Sequence, residues 1–399
     1  MSLPRIATKL LTLFLVVLAI GTSDAAELCP VSTLERVCAS ASETDSSVVL
    51  DCSLDFREMD CTDVGQTNHL TKKLILEGSN ATGLLLDLTG AHLDGGKGQF
   101  NYRRGDMIEV RSVRMNDGNW SVPTDINIQH ARLTGSIRLY GMGRNGEAIA
   151  IKEASRKIEG QSLIRAAAPK RISLDSLWVE GTGRNPVYFS PGVMNSTLRN
   201  STITGISTRV GVYLDAESGH NVLTGNTFSV KTDDGSWLGF YDRGWPQLAL
   251  DGSANNEITN NKFLRLKQGG IYLYRNCGEG GTIRIETPSY NRILDNLFVY
   301  QRQELSDPAI FVGSRNYGRF ENWWPGSHCN DDVDSGSRGS AKSNADNARH
   351  NTIRGNVFDL SKLGRQRNDS KRISLEQLIQ IGNARRDHSN DIEANRVQR

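Results

Sequence analysis

The sequence predicts an all-β protein built as a solenoid, in which short strands stack in parallel from one coil to the next. An asparagine motif recurs along the second half of the chain. The segments that precede it, such as GGIYLYRN at 269–276, are β-branched or aromatic with period-two alternation. The composition agrees, since 39 glycines stand against 10 prolines and aromatic residues make up only 7% of the chain. This composition favours a turn-rich β protein over a helical bundle.

The motif sets two asparagines five residues apart, and Phe follows the second one in four copies (Phe228, Phe263, Phe298 and Phe358). The copies start 26, 35, 35, 60 and 39 residues apart. A solenoid tolerates such variation because insertions leave each coil as loops. The asparagine pairs are Asn195/Asn200, Asn221/Asn226, Asn256/Asn261, Asn291/Asn296, Asn351/Asn356 and Asn390/Asn395.

Stacked coils give these asparagines a structural role. Asparagine tolerates the left-handed conformation at a corner, and its amide can hydrogen-bond to the equivalent residue one coil away. The Leu, Ile and Phe between the asparagines then form apolar columns inside the solenoid. We therefore predict that the asparagines are structural residues and not catalytic ones.

At this point the chain resembles the right-handed parallel β-helix proteins, and among them the NosD-like proteins, the alginate C5-epimerases and several polysaccharide lyases. The resemblance rests on the repeated motif and covers about residues 125–395. It implies a single-stranded right-handed parallel β-helix with long loop insertions. The expected organisation is a signal peptide at 1–25, an N-terminal cap with irregular first coils at 26–122, and the β-helix at 123–399.

The first residues have the layout of a cleaved secretory signal. Arg5 and Lys9 precede an apolar run from Leu10 to Ile20, and the small residues Ser23 and Ala25 follow. The run is too short for a confident membrane span, so we expect cleavage after Ala25, no membrane span afterwards, and a periplasmic or secreted protein. A net charge of +2 gives no reason to expect nucleic acid as a partner.

The cysteine count is even, as expected for a protein with disulfides in an oxidising compartment. Four of the six lie early and repeat a spacing of nine, which predicts a stapled N-terminal cap with the pairing left open. The six are Cys29, Cys38, Cys52, Cys61, Cys277 and Cys329.

The repeat also aligns the strand before each motif and predicts which side chains share a face. We take Phe189, Leu214, Leu250, Leu273, Val312 and Ile381 as one inward column. One outward column is then Tyr188, Tyr213, Ala249, Tyr272, Phe311 and Gln380, and its neighbour is Ser190, Asp215, Asp251, Tyr274, Gly313 and Gly382. Coils stack about 4.8 Å apart, so Asp215 and Asp251 are expected to be neighbours that face water.

Such a face is typical of a sugar-binding groove, in which rings stack on the pyranose and charges address its carboxylates or hydroxyls. The substrate-binding candidates are Tyr213, Tyr272, Phe311, Glu217, Arg243 and Trp245. The catalytic candidates are Asp215, Asp251, His220, Tyr274 and Arg275.

The favoured function is a lyase or C5-epimerase on an acidic, uronate-containing polysaccharide. Removal of the proton beside a uronate carboxylate needs a cation to neutralise that carboxylate, together with a base and an acid. Arg275 or Arg243 would neutralise it, and His220 or Tyr274 would move the proton. The Asp215/Asp251 pair would orient the sugar or carry calcium; no metal ligands are assigned and the cofactor stays open.

Two alternatives remain open at this stage. A non-catalytic glycan-binding scaffold would use the same face for contact alone, with polysaccharide export machinery as a partner. A glycoside hydrolase would use Asp215 and Asp251 as acid and as base or nucleophile. Because both side chains are expected to face water, replacing either by Asn should abolish turnover without affecting the fold.

Overall fold

A computed structural model describes residues 27–42, 44–96, 105–232, 245–276, 281–301, 307–313, 348–363, 373–381 and 389–399. The segment expected to be a signal peptide lies outside these residues. Cys277, Cys329 and Arg243 also lie outside them.

Three parallel sheets form the molecule, and each coil contributes one strand to every sheet, as the sequence predicts. In spatial order, sheet A consists of Ser47–Leu50, Lys73–Glu77, Asp106–Arg111, Ser136–Tyr140, Val187–Phe189, Val212–Leu214, Leu248–Asp251, Ile271–Tyr274, Ile310–Val312 and Ile379–Ile381. Sheet B consists of Leu54–Asp55, Leu85–Asp87, Asn127–Gln129, Ser173–Asp175, Thr197–Arg199, Val222–Thr224, Glu257–Thr259, Arg292–Leu294, Thr352–Arg354 and Asp391–Glu393. Sheet C consists of His69–Leu70, His92–Asp94, Arg132–Thr134, Trp178–Gly183, Thr202–Ser207, Thr227–Phe228, Lys262–Phe263, Leu297–Val299, Val357–Asp359 and Arg396–Gln398, and Lys231–Thr232 also pairs with Thr202–Ser207.

The remaining elements lie in the connections between strands. The helices are α1 (Val31–Cys38), α2 (Ile149–Ser155), α3 (Gly160–Ala166) and α4 (Leu375–Leu378). Single 3₁₀ turns occupy Cys61–Val64, Ser79–Ala81 and Leu266–Gln268, and Val113–Arg114 pairs antiparallel with Trp120–Ser121. None of the helices within the described residues is long and apolar enough to cross a membrane.

Columns of identical side chains fill the interior. The rings of Phe228, Phe263, Phe298 and Phe358 stack in sequence, with centroids 4.8, 4.9 and 5.2 Å apart. All four are fully buried. This spacing matches the distance between neighbouring parallel strands, so each ring packs on its equivalent in the next coil.

Two ladders of buried asparagine run along the stack, as the sequence predicts. At each step the side-chain oxygen of one asparagine accepts the backbone N–H of its equivalent one coil earlier, at 2.9 or 3.0 Å. The ladders satisfy backbone donors that the corners would otherwise leave unpaired inside the molecule. Their members are Asn221, Asn256, Asn291, Asn351 and Asn390, and Asn226, Asn261, Asn296, Asn356 and Asn395.

The first copy of the motif was predicted in the wrong register by one residue. Ser196 and Ser201, not Asn195 and Asn200, donate their backbone N–H groups to the ladder oxygens of Asn221 and Asn226. Asn195 and Asn200 instead adopt the left-handed conformation, with φ of 54° and 52°. The chain therefore turns at the residue before each ladder position, and this turn directs the following side chain into the interior.

Helix α1 caps the first coil. Its buried residues Leu34 and Val37 belong to the same core as the solenoid interior. Two disulfides, Cys29–Cys52 and Cys38–Cys61, tie the helix and its flanks to the first strands. The predicted stapled cap is confirmed, with each cysteine bonded to the one 23 positions away.

Long connections flank sheet A only. From the second coil onward, the turns between sheets B and C contain two to four residues. The longest connections from sheet A to sheet B span 141–172, 275–291 and 313–351, and those from sheet C to sheet A include 233–247 and 360–378. Because functional residues concentrate on loops held by a rigid scaffold, sheet A is the face to search for a site.

Replacing Asn261 by Ala should lower the free energy of unfolding by about 3 kcal/mol, because the change leaves buried groups on two neighbouring coils unpaired. The Asn261 side chain accepts from Asn226 and donates to the Leu223 carbonyl at 2.8 Å and to Asn296 at 3.0 Å. Chemical denaturation would measure the loss. Asn127→Ala is the control, since Asn127 is exposed on sheet B. Equal losses in the two variants would refute the ladder's role.

Candidate functional site

The outer face of sheet A carries one unbroken column of side chains, and its register is the predicted one. Tyr213 pairs with Ala249, Ala249 with Tyr272, and Tyr272 with Phe311. Leu214 pairs with Leu250, which makes Asp215 and Asp251 neighbours on successive coils. The complete column is Val49, Ile75, Glu109, Arg138, Tyr188, Tyr213, Ala249, Tyr272, Phe311 and Gln380.

The predicted exposure of this face is wrong. Asp215 and Asp251 are 1% and 0% exposed, so neither carboxylate faces water. The other candidates that are also buried are Glu217, Tyr272, Tyr274, Arg275 and Phe311. Of the described candidates, Tyr213 and Trp245 keep part of their surface exposed, and His220 is exposed. A layer of chain that the sequence did not reveal contacts Asp215, Glu217 and Arg275.

That layer, here called the cover, consists of residues 141–168 with α2 and α3, and of residues 281–287. Its two parts are joined by hydrogen bonds. The Ile283 N–H donates to Ser155 Oγ at 3.0 Å, and Arg156 Nε donates to the Gly281 carbonyl at 3.1 Å. Arg165 Nη2 donates to Glu286 Oε2 at 3.0 Å. The two insertions therefore act as one unit above the sheet.

Asp215 fastens the cover to the sheet. Its Oδ1 accepts a hydrogen bond from Arg284 Nη1 at 2.9 Å, and its Oδ2 accepts from the Gly146 N–H at 3.1 Å. The Tyr188 hydroxyl also donates to Oδ2. Burial alone would lower the pKa of Arg284. The charges on Asp215 and Asp251 have the larger effect and raise this pKa above its ordinary value. Asp215 and Arg284 thus form a buried ion pair between sheet and cover.

Asp251, in contrast to Asp215, is hydrogen-bonded to uncharged donors. It accepts hydrogen bonds from the Tyr213 hydroxyl and from both the backbone and the side chain of Asn276. Burial raises the pKa of Asp251 to about 6; the Arg284 guanidinium opposes this shift and the charge on Asp215 adds to it. Burial and the neighbouring Asp251 charge also raise the pKa of Tyr213.

Glu217 is hydrogen-bonded to the cover and is not exposed to solvent. Its carboxylate accepts from the Ile285 N–H at 2.7 Å and from Gln161 Nε2 at 3.0 Å. Burial raises its pKa. Arg275 likewise donates to the Ile285 carbonyl at 2.9 Å. These contacts give both residues a structural role in holding the second insertion.

The predicted aromatic shelf is a packed cluster. Tyr272, Tyr274 and Phe311 are buried together, with Tyr213 and Trp245 packed against them. Tyr213 also stacks on Tyr188, with ring centroids 5.3 Å apart. Within this cluster, Tyr213 and Trp245 keep part of their surface exposed.

His220 lies apart from the buried aspartates. It is the exposed left-handed corner residue, with φ of 55°, that leads from sheet A into sheet B. Among the described residues, no side-chain contact joins it to Asp215 or Asp251. Its role in proton transfer remains a prediction.

A second cluster of charged groups, which the sequence analysis missed, lies on the same face at the second to fifth coils. We call it the basic cluster. It surrounds two buried carboxylates, Asp106 and Glu109, each 1% exposed. Its other members are the buried Arg138 and five partly exposed residues: Lys73, Arg111, Tyr140, Arg144 and Arg184. Extending the outward column toward the N-terminus passes through Arg138 and Glu109 and would have found it.

Glu109 is the centre of this cluster. Its Oε1 accepts from Lys73 Nζ at 2.6 Å and from Arg144 Nη1 at 2.8 Å. Its Oε2 accepts from the Tyr140 hydroxyl at 3.1 Å and from Arg111 Nη1 at 3.3 Å. One buried carboxylate therefore holds a lysine, a tyrosine and two arginines together at a partly exposed surface.

The protonation states within the basic cluster are shifted. Burial lowers the pKa of Lys73, and the nearby Arg144 and Arg111 charges add to this effect while Glu109 opposes it. Burial and the Glu109 charge raise the pKa of Tyr140 to about 12. Perturbed titratable groups at a partly open surface are typical of functional sites.

Metal ligands are not evident where the chain is described. No group of three or more His, Cys, Asp or Glu residues there could hold a metal ion. The use of calcium stays a prediction.

A family model described as a right-handed β-helix region matches residues 113–358, which is more than half of the chain. No curated protein matches the sequence.

Several solved structures are similar at low identity. The tailspike protein of E. coli bacteriophage HK620 in complex with a pentasaccharide matches over 92% of this chain and 56% of its own, at 9% identity and a TM-score of 0.43. The alginate lyase from Paenibacillus sp. str. FPU-7 matches over 82% and 88%, at 14% identity and a TM-score of 0.38. ORF18 of Geobacillus virus E2 matches over 82% and 51%, at 12% identity and a TM-score of 0.32. This chain spans about half the length of the tailspike and ORF18 chains.

Replacing Asp215 by Asn should destabilise the fold, contrary to the expectation for an exposed residue. The change removes the carboxylate of the buried ion pair with Arg284, which costs about 3 kcal/mol. Thermal or chemical unfolding would measure it. The matched control is Asp125→Asn, because Asp125 pairs with Arg171 at 2.5 Å but is 48% exposed, and its loss should stay below about 1 kcal/mol. Equal effects would show that the Asp215 pair is not buried in solution.

Stability should depend on pH through Asp251. Its pKa is about 6 in the folded chain against an ordinary 3.8, so the folded state binds this proton more tightly than the unfolded state. The resulting stability is fully present below about pH 3.8 and is lost as the pH rises through about 6, a change of about 3 kcal/mol.

The measurement compares unfolding free energies of the parent chain and Asp251→Asn between pH 4 and pH 7. Asn cannot ionise, so the variant lacks this contribution, and the parent should lose about 2.4 kcal/mol more than the variant over this range. Parallel profiles for the two chains would mean that Asp251 titrates normally.

Proposed function

We propose that this chain, which belongs to the right-handed β-helix family, acts outside the cytoplasm on an acidic, uronate-containing polysaccharide as a lyase or C5-epimerase. The observation that carries the proposal is the arrangement around Glu109, where one buried carboxylate holds Lys73 and Tyr140 from its two oxygens. The two disulfides support an extracytoplasmic location.

The chemistry needs a base that takes the proton from C5 of the uronate and an acid that gives a proton back. The lowered pKa of Lys73 makes its neutral amine more accessible, which suits the base. The raised pKa of Tyr140 keeps its hydroxyl protonated, which suits the acid. In a lyase, Tyr140 protonates the departing oxygen at C4 as the C4–C5 double bond forms. In an epimerase, it protonates C5 from the opposite face.

The carbanion that forms at C5 delocalises into the sugar carboxylate and must be stabilised by positive charge. Arg111 and Arg144 lie against Glu109 beside the proton-transfer groups, and their side chains are 30% and 41% exposed. Both can therefore reach a bound carboxylate while they remain anchored. Planar guanidinium groups are suited to this because they bind carboxylates in a bidentate manner.

In this proposal the row from Asp215 to Arg275 supports the site and does not touch the sugar. Asp215 and Glu217 hold the cover in place, and the cover forms one wall beside the basic cluster. Tyr213 and Trp245, at the edge of the cover, are left to contact sugar rings. Catalysis by Tyr274 or Arg275 would require the cover to move away.

A non-catalytic glycan-binding scaffold is the second candidate. The observation that favours it is the burial of Asp215 and Asp251, because a face built for contact alone does not need these acids exposed. The same burial weighs against a hydrolase, since both aspartates would have to reach one glycosidic bond.

The test incubates the protein with alginate, pectate and a glucuronan. Ultraviolet absorbance of unsaturated uronate detects a lyase, and NMR detects a changed epimer ratio. Tyr140→Phe should lower turnover by roughly a hundredfold or more because the proton donor is lost, while binding persists. The matched control Tyr290→Phe should have no effect, since Tyr290 is 58% exposed at a corner beside sheet B.

Turnover that survives in Tyr140→Phe would contradict the assigned acid. Binding of a polymer without any product would support the non-catalytic scaffold. New reducing ends without ultraviolet absorbance would indicate a hydrolase.

A further inference from the structure

Three arginines surround Asp106 next to the proposed proton-transfer groups. Arg144 Nη2 is hydrogen-bonded to Asp106 Oδ2. Arg184 Nη1 lies 3.7 Å from the same oxygen, and Arg138 Nε lies 3.7 Å from Oδ1. Asp106 is 1% exposed and also accepts from Ser136 Oγ at 2.6 Å. A single carboxylate thus faces three guanidinium groups.

The basic cluster carries more positive than negative charge. Its five cations are Lys73, Arg111, Arg138, Arg144 and Arg184. Among the described residues, the carboxylates within ion-pair distance of these cations are Glu77, Asp106 and Glu109. Crowding of like charges is visible in Arg144, whose pKa is lowered by burial and then by Arg184. A bound anion would relieve this excess.

Arg138 also has a donor to offer. Arg138 is 7% exposed and donates Nη1 to the Arg144 carbonyl at 2.7 Å, yet its Nε makes no hydrogen bond within the described chain. A buried donor without an acceptor is costly unless a ligand or water supplies one. The side chains of Arg144 and Arg184 are 41% and 26% exposed and open the site to solvent.

We infer that Arg138, Arg144 and Arg184 form a second anion-binding subsite, which holds the carboxylate or sulfate group of the sugar adjacent to the one at Lys73 and Tyr140. The inference rests on the proposed function and narrows its substrate class to polymers with anionic groups on neighbouring sugars.

The position of the groups along the solenoid supports a polymer. Lys73 belongs to the second coil, whereas Arg184 precedes the strand of the fifth coil. Coils stack about 4.8 Å apart, so the cluster extends over three such steps, more than one pyranose ring. The sugar chain would run along the solenoid axis past successive strands of sheet A.

The test measures affinity by calorimetry for Arg184→Gln and for the matched control Arg199→Gln. Arg199 is 50% exposed and pairs with Asp175 at 2.9 Å on sheet B, away from this face. The probes are oligomannuronate, oligogalacturonate, free glucuronate, dextran sulfate and neutral dextran. Arg184→Gln should weaken oligouronate binding by about tenfold, as expected for loss of a charge-assisted contact. The control should bind as the parent does, and neutral dextran should not bind.

Free glucuronate should bind the parent and Arg184→Gln equally, because one sugar needs only the first subsite. A tenfold loss confined to dextran sulfate would identify sulfate as the anion and still support the subsite. Equal oligouronate and dextran sulfate affinity in Arg184→Gln and Arg199→Gln would overturn the subsite and leave the proposed function intact. Absence of binding and turnover with every acidic probe would overturn both.

Discussion

The rest of the structure depends on the hydrogen bond that a backbone N–H donates to the side-chain oxygen of a buried asparagine one coil later. Repeated at two corners of each coil from Ser196 and Ser201 onward, it fixes where the sheet B and sheet C strands of these coils begin. A slip of one residue would turn each strand over and move its interior side chains to the surface. The asparagine ladders therefore also decide which residues meet on the outer face of sheet A.

Buried carboxylates on that face are compensated in two different ways. Under the cover, Asp215 is matched by Arg284 and Asp251 by neutral donors, so charge is nearly balanced away from water. In the basic cluster Asp106 and Glu109 are buried, whereas the side chains of Arg144, Arg111 and Arg184 are 41%, 30% and 26% exposed. The buried, neutralised carboxylates and the partly exposed cations thus lie on different coils of one continuous column.

Sequence periodicity predicted the sheet A register from Phe189 to Ile381, because the asparagine motif anchors each of these coils. It placed the first motif copy one residue off, since serine follows each asparagine of NSTLRNST and fills the ladder position itself. It could not reveal the cover, which comes from α2 and α3 in an insertion, because burial by a distant segment leaves no repeat. The basic cluster was not predicted for a related reason, because its coils lack the asparagine motif.

The cover joins parts of the chain that are far apart in sequence, as Arg156 and Gly281 are separated by 125 positions. Every other layer of the molecule is built from neighbouring coils and can grow one step at a time. The two halves of the cover can meet only after the coils between them have stacked, so we expect its closure to be a late step in folding. Burial of Asp215 therefore indicates that the central coils have already stacked.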